Sequence, residues 1–421
     1  MSGTLKGIRR HVALATGAVT LVVLAGCSSS GGGSGAGSSG SGTLTIGVLA
    51  PFTGPNAQAG QDLMKGVDLA VNEVNAAGGA NGMKLKVVTG DTVSDPTDAV
   101  SAASKIINAD GAQIVIGPRT ITAPAVLPIT MRAKVPNFIV GGSTVLDQNT
   151  DPFFWRTSPS DSQQGIAMAA YAAQKGYKRA ALAFEQQPAA QTLKQPIIDA
   201  FTKHGGMITA TVDLTPAQSS YRSEIQKLYA DKPDVIFTQV GAQTASAFFP
   251  QVKQLEGLTT PFIGTNVMDS ADFFQAVGAD IAQSPIYAAQ ASSSGGAGYK
   301  HFADAYKKAY GGNQTANLSP DMYDAVILAA LAVEKSKTTT GKPVADAVTQ
   351  VSNPPGTTVS TYADGVKALK AGTKINYDGA SGNDDFDKYH NVFGPYEILH
   401  FTASGATEKI AELPANLLAG Y

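Results

Sequence analysis

Cysteine is nearly absent: Cys27 is the only one in 421 residues, so no disulfide forms within the chain. Histidine is scarce as well. His11, His204, His301, His390 and His400 show no His-Glu-x-x-His or comparable spacing, which leaves no sign of a zinc centre. Runs of Lys and Arg are missing and the formal charge is −2, so the basic stripe that nucleic-acid binding demands is not present. No phosphate-binding loop occurs, because Gly341-Lys342 is followed by Pro343. One stretch, Gly35-Ala36-Gly37-Ser38-Ser39-Gly40, matches the dinucleotide fingerprint in letters only, since it follows no strand and opens no helix. No metal or other cofactor is therefore expected, and no convincing catalytic set emerges. Asp384-Asp385, the carboxylate pair that invites an acid–base reading, sits in a Gly/Asn-rich turn and reads as solvated charge.

The N-terminus is informative. Lys6, Arg9 and Arg10 precede an apolar stretch, Ala13 to Gly26, that is too short to span a bilayer as a helix. It ends in Leu24-Ala25-Gly26-Cys27, which resembles the bacterial lipobox, where small residues before a cysteine admit a peptidase and the thiol accepts a diacylglycerol. Residues 1–26 thus read as a signal peptide, Cys27 as the lipidated residue, and the Ser/Gly-rich stretch to residue 42 as a flexible leash. Loss of the signal removes three basic residues and no acidic one, moving the formal charge from −2 to −5. Each buried CH₂ contributes roughly 0.8 kcal/mol, so two or more acyl chains hold such a chain at the cell membrane without inserting it. The expected location is extracytoplasmic.

The body is longer than one hydrophobic core usually allows, and 43% hydrophobic with 15% charged residues is ordinary for a globular chain. From Thr43 it alternates short apolar runs with segments of helical period, the pattern of parallel sheets wrapped by helices. Strands are predicted at Thr43–Leu49, Met83–Thr89, Gln113–Ile116 and Asn137–Val140, with helices between them. Asp95-Pro96 looks like an N-cap followed by Pro at N1. Past Phe153–Thr157, Asp161 is placed to cap a helix reaching Lys175. Further strands follow at Arg179–Phe184, Met207–Val212, Val235–Thr238 and Pro261–Gly264. After about Tyr287 helices dominate, at Tyr299–Tyr310, Pro320–Lys335 and Thr361–Ala371, and Asn376–Thr402 looks like hairpin material. The fold class is α/β, with two doubly wound lobes.

Several motifs in order resemble a known family. These are Ile46-Gly47 through Phe52-Thr53-Gly54-Pro55, the helix end Asn72 to Gly79, Gly90-Asp91 with Asp95-Pro96, Ile116-Gly117-Pro118, Phe154-Trp155-Arg156-Thr157-Ser158-Pro159-Ser160-Asp161 with Gln164-Gly165, and Tyr377 to Gly382. The chain resembles the type I periplasmic solute-binding proteins of branched-chain amino acid ABC transporters, the Leu/Ile/Val-binding family. That resemblance implies two parallel-sheet lobes joined by a three-crossing hinge and closing on a ligand. The expected organisation is lobe 1 over 43–160, lobe 2 over 161–287, a return to lobe 1 over 288–374 and a return to lobe 2 over 375–421. It also implies a monomer that binds a small polar solute and delivers it to a membrane permease.

The family grips the α-carboxylate and α-ammonium from two first-lobe loops, which carried onto this chain means Thr120 or Thr122, then Gly142, Ser143 and Thr144. Arg119 is an addition, read either as a bidentate carboxylate holder or as a solvated loop charge. Aromatic positions of the family are occupied by Ala59, Pro188 and Gly241, and Asn266 falls near its ammonium-pairing Glu, with Asp269 as a substitute. Gln186, Gln187 and Gln239 join Asn266 in making the second lobe polar, which suits an amino-acid-like solute, an amide, a polyol or a sugar better than a bare isobutyl group. Trp155 reads as core or hinge packing. A ligand-sensing receptor on the same fold is the alternative; the chain stops at Tyr421 with no C-terminal transmembrane helix, which favours transport.

Overall fold

The computed structural model describes residues 42–292, 296–312, 316, 318–418 and 420–421. The expected signal peptide, Cys27 and nearly all of the leash lie outside the described residues, as does the glycine-rich match at 35–40.

The first sheet follows from alternation. In β1 (Thr43–Ala50), Leu44, Ile46 and Val48 share a core with Leu63, Val67, Ala70 and Val74, the apolar stripe of α1 (Ala57–Ala76). Gly47 faces the other way, where a Cβ would stand 2.8 Å from Ile106 of α2 (Pro96–Asn108), so only glycine lets that helix sit down. Asp95 caps α2 by accepting from the Thr97 and Asp98 amides, with Pro96 at the first turn. β2 (Lys84–Asp91), β3 (Ile114–Ile116), β4 (Asn137–Ile139) and β5 (Phe154–Arg156) complete a wholly parallel sheet in the order β2-β1-β3-β4-β5. The chain steps from β1 to one side and then to the other, so the loops after β1 and β3 part at a topological switch point.

After α3 (Ala123–Ala133) and α4 (Asp161–Gln174), a second sheet forms from β6 (Arg179–Glu185), β7 (Met207–Leu214), β8 (Val235–Gln239), β9 (Phe262–Thr265) and β10 (Ile286–Ala291). Its own switch point lies between β6 and β8. The chain then returns to the first core. Helix Ser319–Ser336 is buried along most of its length against α1, where a Cβ on Gly66 would stand 2.0 Å from the Ser319 carbonyl. The short strands β11 (Thr357–Val359) and β12 (Ile375–Tyr377) pair beside it. β13 (Tyr396–Phe401) and β14 (Thr407–Leu413) finally add an antiparallel edge to the second sheet.

Four expectations need correction. Ser160, not Asp161, caps α4: its hydroxyl accepts from the Ser162 amide, which leaves Asp161 as the first helical residue with its carboxylate free to turn elsewhere. Strand β10 lies where helices were expected to take over, because pairing with β9 and β13 overrides the weak strand preference of its alanines. Helix Gly341–Ser352 was not predicted at all. The hairpin is Tyr396–Leu413; Ile375, Tyr377, Phe386 and Val392 belong to the first core, so the last crossing falls near 393–395.

Trp155 is 2% exposed and stacks on His390 at 3.8 Å with Phe386 edge-on at 5.0 Å. It packs the core under the crossing. Asp384 departs from expectation: it is fully buried, and neither carboxyl oxygen has a partner among the described residues. Burial first, then the carboxyls of Asp324, Asp321, Asp378 and Asp385, push its pKa well above the ordinary range. Loops assigned as solvated from composition become core once Phe386 is drawn against Trp155.

Candidate functional site

A cavity of about 830 Å³ opens between the two sheets, and all three crossings contribute to its lining, through Thr157–Pro159, Ala291–Ser292 and Val392–Tyr396. The loops at both switch points reach it. This is where open parallel sheets present strand ends and helix N-termini to ligands.

The first-lobe wall is built around Gly117–Thr122, which follows β3. Gly117 has φ +81°, and a Cβ there would stand 2.2 Å from the Leu49 carbonyl, so the loop leaves the strand flush against β1. Thr120 Oγ1 accepts from the Gly142 amide at 2.9 Å, tying this loop to the next one. Thr122 is 2% exposed, stands at the N-cap position of α3 without making a cap bond, and donates to the Arg119 carbonyl at 3.2 Å. Of the two threonines, both line the cavity and both hydroxyls are used within the protein.

Gly142 meets the N-terminus of α4. Its carbonyl accepts from the Asp161 amide at 2.8 Å, and a Cβ at Gly142 would stand 1.8 Å from Asp161 Oδ1. Glycine here lets the Asp161 carboxylate reach the cavity. Arg119 lines the same wall with its Nε buried and unpartnered. Burial lowers its pKa, opposed by the nearby carboxylates of Asp161 and Asp321. The Asp161 carboxyl is pushed up to about 6, chiefly by burial and further by Asp147, against Arg156 and Arg119. Asp321, at the start of helix Ser319–Ser336, is pushed up to about 7 by burial and then by Asp324, against Arg119. Ser158, 2% exposed, also lines the cavity with an unpartnered hydroxyl.

The second-lobe wall is polar. Gln164 of α4 donates to Asn266 Oδ1 at 3.1 Å and to the Ala289 carbonyl at 2.8 Å, while Gln290 donates to Glu397 at 3.3 Å. Gln239, Asn266 and Asp269 stand here with them.

Of the residues singled out in the sequence, the cavity thus gathers Arg119, Thr120, Thr122, Gly142, Gln239, Asn266 and Asp269. Four stand elsewhere. The Ser143 carbonyl accepts from Arg156 at 2.8 Å, and Thr144 opens a short 3₁₀ turn, both outside the lining. Gln186 is exposed and accepts from Thr215 at 3.1 Å, and Gln187 is exposed beside it. Sequence reasoning missed Asp161, Asp321 and Glu397: the first read as a helix cap, the others as ordinary positions of a helix and a hairpin. The one available signal was Ser158-Pro159-Ser160-Asp161 at the first crossing, where a cap and a second polar residue stand together.

Residues 43–406 match a family described as "Periplasmic binding protein". The Leu/Ile/Val-binding protein BraC3 of Rhizobium johnstonii is 29% identical over 258 residues, covering 58% of this chain and 66% of that protein. The chain spans two thirds or less of the length of the curated relatives it matches, at 66% and 60%. Among solved structures, a leucine-binding protein LivK from Thermotoga maritima superposes with a TM-score of 0.72 at 21% identity, covering 89% of this chain and 99% of that one. A solute-binding protein of an ABC transporter from R. palustris, in complex with benzoate, has a TM-score of 0.68 at 18% identity, covering 89% and 97%.

Proposed function

Because the chain belongs to the periplasmic binding protein family, which is non-enzymatic and works outside the cytoplasm, we propose that it captures a small polar solute, an amino acid or an amino-acid-like molecule, between its lobes and delivers it to the permease of an ABC importer. The observation that carries this reading is Arg119. A half-buried guanidinium whose Nε is buried and unpartnered among the described residues, on the cavity wall within electrostatic reach of Asp161 and Asp321, offers a carboxylate site beside an ammonium site. Buried polar groups without partners are costly, and a zwitterion placed there would satisfy both signs at once. The relatives' names support amino acids, although the benzoate-bound relative shows that one such fold accommodates a different carboxylate.

Delivery from the membrane surface rests on Cys27 as the lipidated residue, and the protein is proposed to act as a monomer. Screening the purified protein by thermal shift against amino acids, amides, polyols, sugars and benzoates tests capture. A rise in Tm with one class supports the role, and a flat response to all would remove it.

A further inference from the structure

We propose that the solute carries a second cationic group, held by Asp269 and Glu397 on the second lobe, and hence that the preferred class is amino acids with a cationic side chain. This rests on the capture role and specifies its ligand.

The cavity wall carries more acids than bases. Among the described lining residues Arg119 is the one Lys or Arg, whereas Asp161, Asp269, Asp321 and Glu397 are all carboxylates. An amino acid holds its ammonium one carbon from its carboxylate. A carboxylate on Arg119 therefore places the α-ammonium beside Asp161 and Asp321, the two acids that act on Arg119. A ligand with no further charge would match these first-lobe groups and leave the other wall unanswered.

On that wall the two remaining acids have little to neutralise them. Asp269 makes no ion pair among the described residues; burial raises its pKa and the Thr407 side chain opposes that shift. Glu397 accepts from the Gln290 amide at 3.3 Å. Lys409 acts on it electrostatically but forms its ion pair with Glu412 at 2.9 Å. Both carboxyls are partly buried, and burial is what chiefly raises their proton affinity; at Glu397 the Gln290 amide and Lys409 oppose it, while the neighbouring Asp269 adds to it. A wall meant for a leucine side chain would not place two partly desolvated acids together. A guanidinium or ammonium would be answered by both, in a cavity whose 830 Å³ has room for a long side chain. Ser158, buried in the first-lobe half, offers a further hydroxyl without a partner among the described residues.

Calorimetric titration of the purified protein with L-arginine, L-lysine, L-glutamine and L-leucine tests the inference. The expected result is tighter binding of a basic amino acid than of either neutral one, by about tenfold or more. The double variant Asp269→Asn with Glu397→Gln should lower that preference by a similar factor. Melting the unliganded variants, and the single Glu397→Gln alongside, confirms folding, since these isosteric changes remove repulsion. Equal or tighter binding of leucine or glutamine, or a parallel loss of neutral and basic ligands in the variant, overturns the inference and leaves amino-acid capture standing. Absence of binding by any solute class overturns both.

Discussion

At the residue scale the cavity is organised by carboxyls and one guanidinium held where water is scarce. Arg119→Gln removes the one Lys or Arg among the described lining residues, and charge-assisted hydrogen bonds contribute about 1.5–3 kcal/mol, so a carboxylate ligand should weaken by about tenfold to a hundredfold in calorimetry. The unliganded protein should melt no lower, because an incompletely paired buried charge has been removed. Stability should also depend on pH in an unusual sense. Asp161 and Asp321, at about 6 and 7, and Asp384, raised well above the ordinary range by burial and its acidic neighbours, hold protons in the folded state that the unfolded chain releases near pH 4. Their contribution is complete below pH 4 and is lost as pH rises toward 7. His301, raised by its bond to Glu73, acts in the same direction, while His390, lowered by burial, acts against it below about pH 6.5. Thermal melts of ligand-free protein should therefore rise from pH 7.5 to pH 5. Asp384→Asn should flatten that rise, since it deletes a carboxyl whose own pKa burial and then Asp324 and Asp321 hold well above the ordinary range. A curve that falls on acidification would contradict the assignment.

At the element scale the site depends on how helices begin. Ser160 accepts from the Ser162 amide at 3.1 Å and donates to Asp147 at 2.6 Å, so it both caps α4 and ties the first crossing to the turn before β5. Ser160→Ala should cost about 1 kcal/mol in denaturant unfolding, the usual value of a lost cap. A loss of ligand affinity is expected as well, because Asp161 follows at the first helical position. The Asp95 cap was legible in the sequence, since Pro at N1 marks it. The Ser160 cap was not, because Asp161 beside it is an equally good capping residue and local chemistry does not choose between them.

At the scale of the whole molecule, two sheets and three crossings make a device in which a ligand touching both walls favours the closed arrangement. Small-angle scattering should show a smaller radius of gyration on adding the cognate solute. An unchanged radius at saturation would argue against closure. The walls are supplied by different strands: the first-lobe groups meet the zwitterion and the second-lobe acids the side chain, so neither wall alone holds the whole of the proposed solute.

Alternation in β1, the helical period of α1 and the order of strand and helix signals determined the α/β class, because these depend on spacing along the chain. The loops that hold Arg119, Thr120 and Gly142 were also reachable from sequence, since they lie just beyond predicted strands, while Thr120 and Gly142 themselves were singled out by the family resemblance. What only the tertiary structure decided was which charges share a space. Asp161, Asp321 and Glu397 come from segments far apart in the chain, and Asp384 passed from an expected surface turn into the core. Folding brings such groups within electrostatic reach and removes the water that would screen them, and one-dimensional spacing carries neither the distance nor the loss of solvent.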